Sequence, residues 1–278
     1  MRGILSMLFS MLLIFSACEK DDEVVPVPPT SENSAESEPE ISEEKDEVPP
    51  SLNLALETYQ YGEFKKMPYR ILVPRNYDST KNYPLHVFLH GMGERGADNE
   101  KHLSIGSSYY QIDSIRAKYP SFVIFPQCPT TDFWSSDPMT IILKNMIDML
   151  VRNYAIDKDR ISIGGFSMGA YGTFAMVAQN PKFFESAVAI SGDGDENKAS
   201  QMAKTEWQIF AGKKDDVVSS IRTEIMATAL KKAGASVSFT LYPEADHGNT
   251  WVKAFSEPEF FRRLFSRGNK VLSPSPSN

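Results

Sequence analysis

Two cysteines, Cys18 and Cys128, are all that 278 residues contain, and this scarcity excludes a disulfide-stapled scaffold or a cysteine-rich metal site. Histidine is almost as scarce, with four copies, so any chemistry that needs an imidazole has few places to find one. No metal-ligand spacing and no phosphate-binding glycine loop occurs, and neither a metal nor a cofactor is expected. No basic stripe with interleaved aromatics is present, which argues against a nucleic-acid partner. The longest apolar run, Ile4 to Phe15, falls short of the roughly 20 residues that span a bilayer. No internal repeat appears, and the length suits one large α/β domain with tails rather than two such domains.

Charge is unevenly spread. The net value is −7, yet residues 19–50 hold twelve Asp/Glu and two Lys, so from Ser51 onward the chain is close to neutral. The acidic stretch is also rich in Ser and Pro and poor in large apolar side chains. It cannot bury enough surface to offset ordering and is read as an extended, self-repelling tether over 18–50. Ahead of it, residues 1–17 carry Arg2, the short apolar run and Ser16-Ala17, the pattern of a secretory signal. Cys18 directly after Phe15-Ser16-Ala17 resembles a bacterial lipobox, and the following Glu19-Lys20-Asp21-Asp22-Glu23 resembles the acidic export tag of surface lipoproteins. That resemblance implies lipidation of Cys18 and an outer-membrane anchor facing outward. The reading is then 1–17 signal, 18–50 tether, 51–272 a folded domain and 273–278 a frayed tail. With Cys18 lipidated on processing, Cys128 has no intrachain partner and reads as a packed thiol.

Within the domain, apolar β-rich runs alternate with helical periodicity. Strands are expected at 69–73, 85–89, 122–125, 161–164, 186–190, 207–210 and 237–241, and helices at 141–154, 170–179 and 220–233, the last ending at Gly234. Such alternation implies an α/β fold, a mainly parallel sheet flanked by helices on both faces, with ligands beyond the carboxyl ends of the strands.

Chemistry concentrates at those ends. Gly165-Phe166-Ser167-Met168-Gly169 follows one expected strand and opens a helix, as a nucleophile elbow does. A serine hydroxyl needs a base. His86 lies inside a strand, His90 begins a His-Gly turn as a structural donor, and His102 sits in a polar loop without a visible partner. His247 follows the last strand and is the expected base. The acid falls between Ser and His in elbow enzymes. Asp215, after the strand 207–210, is the choice, with Asp216, Asp193 and Asp195 as alternatives. Backbone N–H groups of Met168 and of Met92, or Gly93 in its place, are the expected oxyanion donors. Trp134 is the expected substrate contact, with Tyr109, Tyr110 and Trp251 as further aromatic candidates. Glu94 and Arg95 either orient the oxyanion loop or form a solvated pair.

Five segments, Leu89-His90-Gly91-Met92-Gly93-Glu94-Arg95-Gly96, Pro126-Gln127-Cys128, the Ser167 turn, Gly212 to Val218 and Tyr242 to His247, together resemble the secreted carboxylesterases and predicted peptidases of the α/β-hydrolase superfamily, near the feruloyl and polyhydroxybutyrate-depolymerase-like esterases. Ser219 departs from the Pro that often follows Val-Val in such relatives. The resemblance implies the α/β-hydrolase fold and a serine carboxylic-ester hydrolase working through an acyl-enzyme on acetyl or feruloyl esters of polysaccharides. A serine peptidase on the same triad and a non-catalytic carbohydrate-binding lipoprotein are the alternatives. Peptidases of this fold usually add a second domain, and the intact triad argues against pure binding.

Overall fold

A computed structural model describes residues 52–54 and 58–265. The signal over 1–17, lipidation of Cys18, the tether over 18–50 and the tail over 273–278 lie outside the described residues.

Eight strands form one sheet in the order β1-β2-β4-β3-β5-β6-β7-β8. They are β1 (Gln60–Phe64), β2 (Met67–Leu72), β3 (Tyr83–Leu89), β4 (Phe122–Pro126), β5 (Ile156–Phe166), β6 (Ser186–Ile190), β7 (Glu206–Gly212) and β8 (Val237–Tyr242). The β1–β2 and β2–β4 pairings are antiparallel, and every pairing from β4 to β8 is parallel. Strands β3, β4, β6 and β7 are buried along their whole length, which is why they read as continuous apolar runs. β1 was not foreseen. It is an edge strand of mixed burial with no apolar run to mark it.

Alternate side chains of the central strands feed two apolar clusters. Leu85, Val87, Leu89, Ile163, Ala189 and Ile209 join one, while Phe88, Phe166, Val188, Ile190 and Phe210 join the other. A period of two puts these on opposite faces of the sheet. The first face is covered by α3 (Asp137–Asn153), α4 (Met168–Gln179) and α5 (Ser220–Lys232), through Leu143, Ile147, Phe174, Val177, Met226 and Leu230. The second is covered by the short α1 (Ser107–Tyr110) and by α6 (His247–Phe255) and α7 (Phe260–Phe265), through Tyr110, Phe255, Phe260 and Phe261. A further helix, α2 (Asp113–Lys118), lies between α1 and β4 in sequence.

Helix starts differ from the periodicity by a few residues. α3 begins at Asp137, where Ser136 Oγ accepts the Met139 N–H at 3.4 Å and a proline occupies the first turn. The apolar stripe begins later, at Met139, so periodicity alone marks the start too late. α5 closes at Lys232, followed by Gly234 with φ +92°, a conformation that glycine adopts without penalty. Among the described residues, no helix is long and apolar enough to cross a membrane.

Three histidines are sealed in this framework. His86 Nδ1 lies 2.9 Å from Ser162 Oγ, and burial pushes its imidazole down to about 3. Burial likewise pushes His90 to about 4 and His102 to about 3. His102, expected in a polar loop, is fully buried in a 3-10 turn over Lys101–Ser104, its ring 6.2 Å from that of His90.

These imidazoles stay neutral in the fold well below pH 6.5, the ordinary histidine value at which the unfolded chain begins to take up protons. The unfolded state therefore binds more protons between about pH 6.5 and 4, and stability falls as pH drops through that window. Each buried histidine is expected to cost about 1.4 kcal/mol per pH unit there. Urea unfolding at pH 7 and pH 5 measures this, and equal stability at the two pH values would contradict it.

Candidate active site

β5 ends at Phe166 and α4 begins at Met168, leaving Ser167 alone in the turn with φ 54° and ψ −118°. That left-handed conformation favours glycine, so holding a serine there costs on the order of 1–3 kcal/mol. The Ser167 N–H donates to Ile190 O at 2.9 Å, tying the turn to the end of β6. Both motif glycines are sterically required: a Cβ at Gly165 would overlap the Gly169 backbone, and one at Gly169 would overlap the Leu89 carbonyl. The crossing of β5 into α4 is thus packed directly on the end of β3, from which the oxyanion loop departs.

His247 reaches the turn from the other side. It is the first residue of α6, whose N-cap Asp246 accepts the Asn249 N–H at 2.8 Å. His247 Nε2 lies 3.0 Å from Ser167 Oγ, and Nδ1 lies 2.8 Å from Asp215 Oδ2. The imidazole is also 4.8 Å, centroid to centroid, from the Phe166 ring. Asp215 Oδ1 accepts the N–H groups of Val217 and Val218 at 3.0 and 2.8 Å. Burial pushes the Asp215 carboxyl up, but the hydrogen bonds from Val218, His247 and Val217 outweigh it and hold the group below its ordinary value. With its side chain fully shielded, the carboxylate fixes the imidazole with Nδ1–H facing it and leaves Nε2 free to accept the serine proton.

The acid loop and the base loop are fastened to each other. Lys213 N–H donates to Tyr242 O and Lys214 N–H to Ala245 O, and a Cβ at Gly212 would overlap the Ala245 carbonyl. The alternative acids point elsewhere. Asp216 is exposed, Asp193 pairs with Arg222 at 2.8 Å, and Asp195 caps the following 3-10 turn through Asn197 N–H.

Met168 opens α4, so its N–H belongs to a first turn whose donors have no acceptor within the helix. Met92 starts a 3-10 turn over Met92–Glu94, with its side chain exposed. What holds this loop is a buried layer in which His90 is the structural donor the sequence suggests, while Gln127 and Trp134 are members it did not reveal. His90 Nε2 accepts the Cys128 N–H at 3.0 Å, so its proton sits on Nδ1 and is donated to Gly91 O at 2.6 Å. Gln127 Nε2 donates to Glu94 O at 3.1 Å while its Oε1 accepts the Asn99 N–H at 2.7 Å. Arg95 braces the loop: it donates to Met92 O, Thr130 O and Asp132 O, and its guanidinium lies 5.0 Å from the Phe133 ring centroid. Burial raises the Glu94 carboxyl, which sits against Gly91.

Trp134 requires a correction. Expected as a substrate contact, it has no exposed surface; its indole N–H donates to His90 O at 3.0 Å, and a Cβ at Gly172 would overlap it. It is a wedge between α4 and the oxyanion loop. Tyr110 is buried too, whereas Tyr109 and Trp251 are half-buried and pack with Phe255. Cys128 is buried, its thiol pushed up to about 12, chiefly by burial. Among the described residues, no group of three His, Cys, Asp or Glu side chains could hold a metal ion.

Comparison with known proteins agrees with this architecture. The model of the Dienelactone hydrolase family matches residues 131–256, a span that contains Ser167, Asp215 and His247. A thermostable esterase of known structure is 30% identical, with a TM-score of 0.72 over 77% of this chain and 64% of that one. The chain thus spans less than two thirds of that esterase's length. The acylaminoacyl peptidase of Pyrococcus horikoshii (14% identical, TM-score 0.61, 78% of this chain and 43% of that one) and the S-formylglutathione hydrolase of Staphylococcus aureus (16%, 0.57, 74% and 94%) share the fold. No curated protein matches the sequence significantly. The fold is that of the α/β hydrolases.

Because the added methyl has nowhere to go, Gly169→Ala is expected to destabilise the protein by about 3 kcal/mol or more, at the upper end of overpacking costs. Gly93→Ala, where a Cβ meets nothing within 4 Å, is expected to stay within about 0.5 kcal/mol of wild type. Urea unfolding of the two variants checks this, and a neutral Gly169→Ala would contradict the packing described.

Proposed function

We propose that this protein is a serine carboxylic-ester hydrolase that works through an acyl-enzyme, cleaving acetyl or feruloyl esters of polysaccharides at the cell surface, where lipidated Cys18 anchors it. The observation that carries the reading is the unbroken line from Ser167 Oγ through His247 to the shielded Asp215 carboxylate. The 30% identity with an esterase favours ester substrates.

In this mechanism Ser167 Oγ attacks the ester carbonyl carbon while His247 Nε2 accepts the hydroxyl proton. The imidazolium that forms is stabilised by Asp215, which stays ionised throughout. Negative charge collects on the former carbonyl oxygen, where the N–H groups of Met92 and Met168 meet it; a single such donor contributes roughly 3 kcal/mol. Collapse of the tetrahedral intermediate expels the alcohol, protonated by His247 Nε2–H, and leaves Ser167 acylated. Water then attacks with His247 as base again, releasing the acid and restoring the serine.

Two outcomes are expected. Asp215→Asn should lower kcat by about four orders of magnitude, because the amide no longer enforces the imidazole tautomer, whereas Asp216→Asn should stay within about threefold of wild type. Equal loss in both variants would remove Asp215 from its assigned place. On a panel of acetylated xylan, methyl ferulate and short peptide amides, the wild type should turn over an ester and Ser167→Ala should turn over none. Preference for the amides would instead favour a peptidase.

A further inference from the structure

A groove of about 290 Å³ lies along the outer side of α4, separate from the triad residues themselves. One wall is a stripe of Tyr171, Ala175 and Gln179, spaced four apart so that they share a helix face. At 1.5 Å rise per residue that wall runs for about 12 Å. The facing wall comes from the segment after β6, with Asp193, Asp195 and Lys198, and the start of α3 closes the far side with Asp137. Buried Phe174 and Met202 supply its apolar lining.

The groove begins beside the nucleophile. Its end at Tyr171 lies one helical turn along α4 from Ser167, and the charges of Asp193, Arg222 and Asp215 all reach the Tyr171 phenol. Tyr171 is 39% exposed, so a flat ring is presented at the end of the groove nearest the scissile bond.

Its polar groups fit a neutral ligand better than a charged one. Asp193 is already paired with Arg222 and accepts the Gly194 N–H. Asp195 accepts the Asn197 N–H, and Asp137 accepts from Gln179 Nε2 at 3.1 Å. These contacts fix the carboxylates in place without using all their lone pairs, which remain available to hydroxyl donors. Lys198 and the Arg222 guanidinium, which Glu196 shares at 3.5 Å, offset about half of the charge of Asp137, Asp193, Asp195 and Glu196, so the groove is mildly acidic and repels polyanions. Fixed acceptors, one ammonium donor and an exposed aromatic face are the groups that recognise a polyhydroxylated ring, whose hydroxyls donate and whose C–H face stacks.

We infer that this groove binds the sugar chain that carries the ester, holding residues beyond the esterified one along α4. The inference rests on the ester-hydrolase reading above. A basic peptide is the competing occupant, and the carboxylates' existing partners count against it.

The test compares kcat/KM on 4-nitrophenyl acetate with kcat/KM on acetylated xylo-oligosaccharides of increasing length, for wild type, Ala175→Trp and Tyr171→Ala, each checked for a cooperative thermal transition. For wild type, kcat/KM is expected to rise about tenfold from the single acetylated sugar to the longer chains. Ala175→Trp fills the groove and should abolish that rise, so that the ratio of long-chain to aryl-ester kcat/KM drops about tenfold; Tyr171→Ala should lower the same ratio if Ala175→Trp fails to fold. A wild type active on the aryl ester but indifferent to chain length, or variants that keep the length dependence, would overturn the groove assignment and leave the esterase reading standing. Inactivity of folded wild type on every ester would instead strike the esterase reading. Titration of Ser167→Ala with unacetylated xylo-oligosaccharide and with oligolysine, followed by Tyr and Trp fluorescence, supplies a readout independent of turnover: saturable binding of the sugar is expected, and binding of oligolysine alone would overturn the proposal.

Discussion

The turn at Ser167 is the constraint around which the molecule is arranged. Its left-handed backbone stores strain, and that strain persists only because three elements hold it at once. The end of β6 accepts its N–H, the crossing of β5 and α4 leaves no room for a side chain at Gly165, and the end of β3 abuts Gly169. One consequence is geometric. Because the Ser167 turn and the loop that follows Leu89 are packed against each other through Gly169 and Leu89, their separation is set by backbone contact and not by flexible side chains.

The base and acid follow the same logic at lower cost. The loops that carry them are cross-tied by two backbone hydrogen bonds, which fix Asp215 and His247 relative to each other. The Asp215 carboxyl is held below its ordinary value by two backbone N–H donors from its own loop together with His247. Behind the loop that starts at Gly91, neutral His90, Gln127 and Trp134 are buried and bond its backbone and the strand end beside it: His90 joins Gly91 O to the Cys128 N–H, Gln127 joins Glu94 O to the Asn99 N–H, and Trp134 donates to His90 O, an arrangement that braces the loop at the price of burying polar atoms.

Much of this was legible in the sequence, for identifiable reasons. Strands buried on both faces announce themselves as apolar runs, and the seven expected strands all appear in the sheet. Only the half-exposed β1 escaped. The Ser167 turn could be read because its two glycines flag a tight crossing, and His247 because few histidines compete. Asp215 and Asp216 could not be separated by residue type: the choice is made by the turn in which Val217 and Val218 direct their N–H groups at Asp215. Trp134 was misread because its place in a loop near the site says nothing of which way an indole points. His102 was misread for the converse reason, since polar neighbours in sequence do not reveal that a ring faces inward. The groove along α4 was invisible because its walls come from three separate segments, and nothing in their residue types says that they face one another.

The central claim is that this geometry makes Ser167 a nucleophile. Exposure of the folded protein to a fluorophosphonate, followed by proteolysis and mass spectrometry, tests it most directly. A single adduct on the peptide containing Ser167, absent from Ser167→Ala and blocked by prior unfolding, is the expected result. A folded protein that remains unlabelled, or one labelled at another residue, would contradict the account.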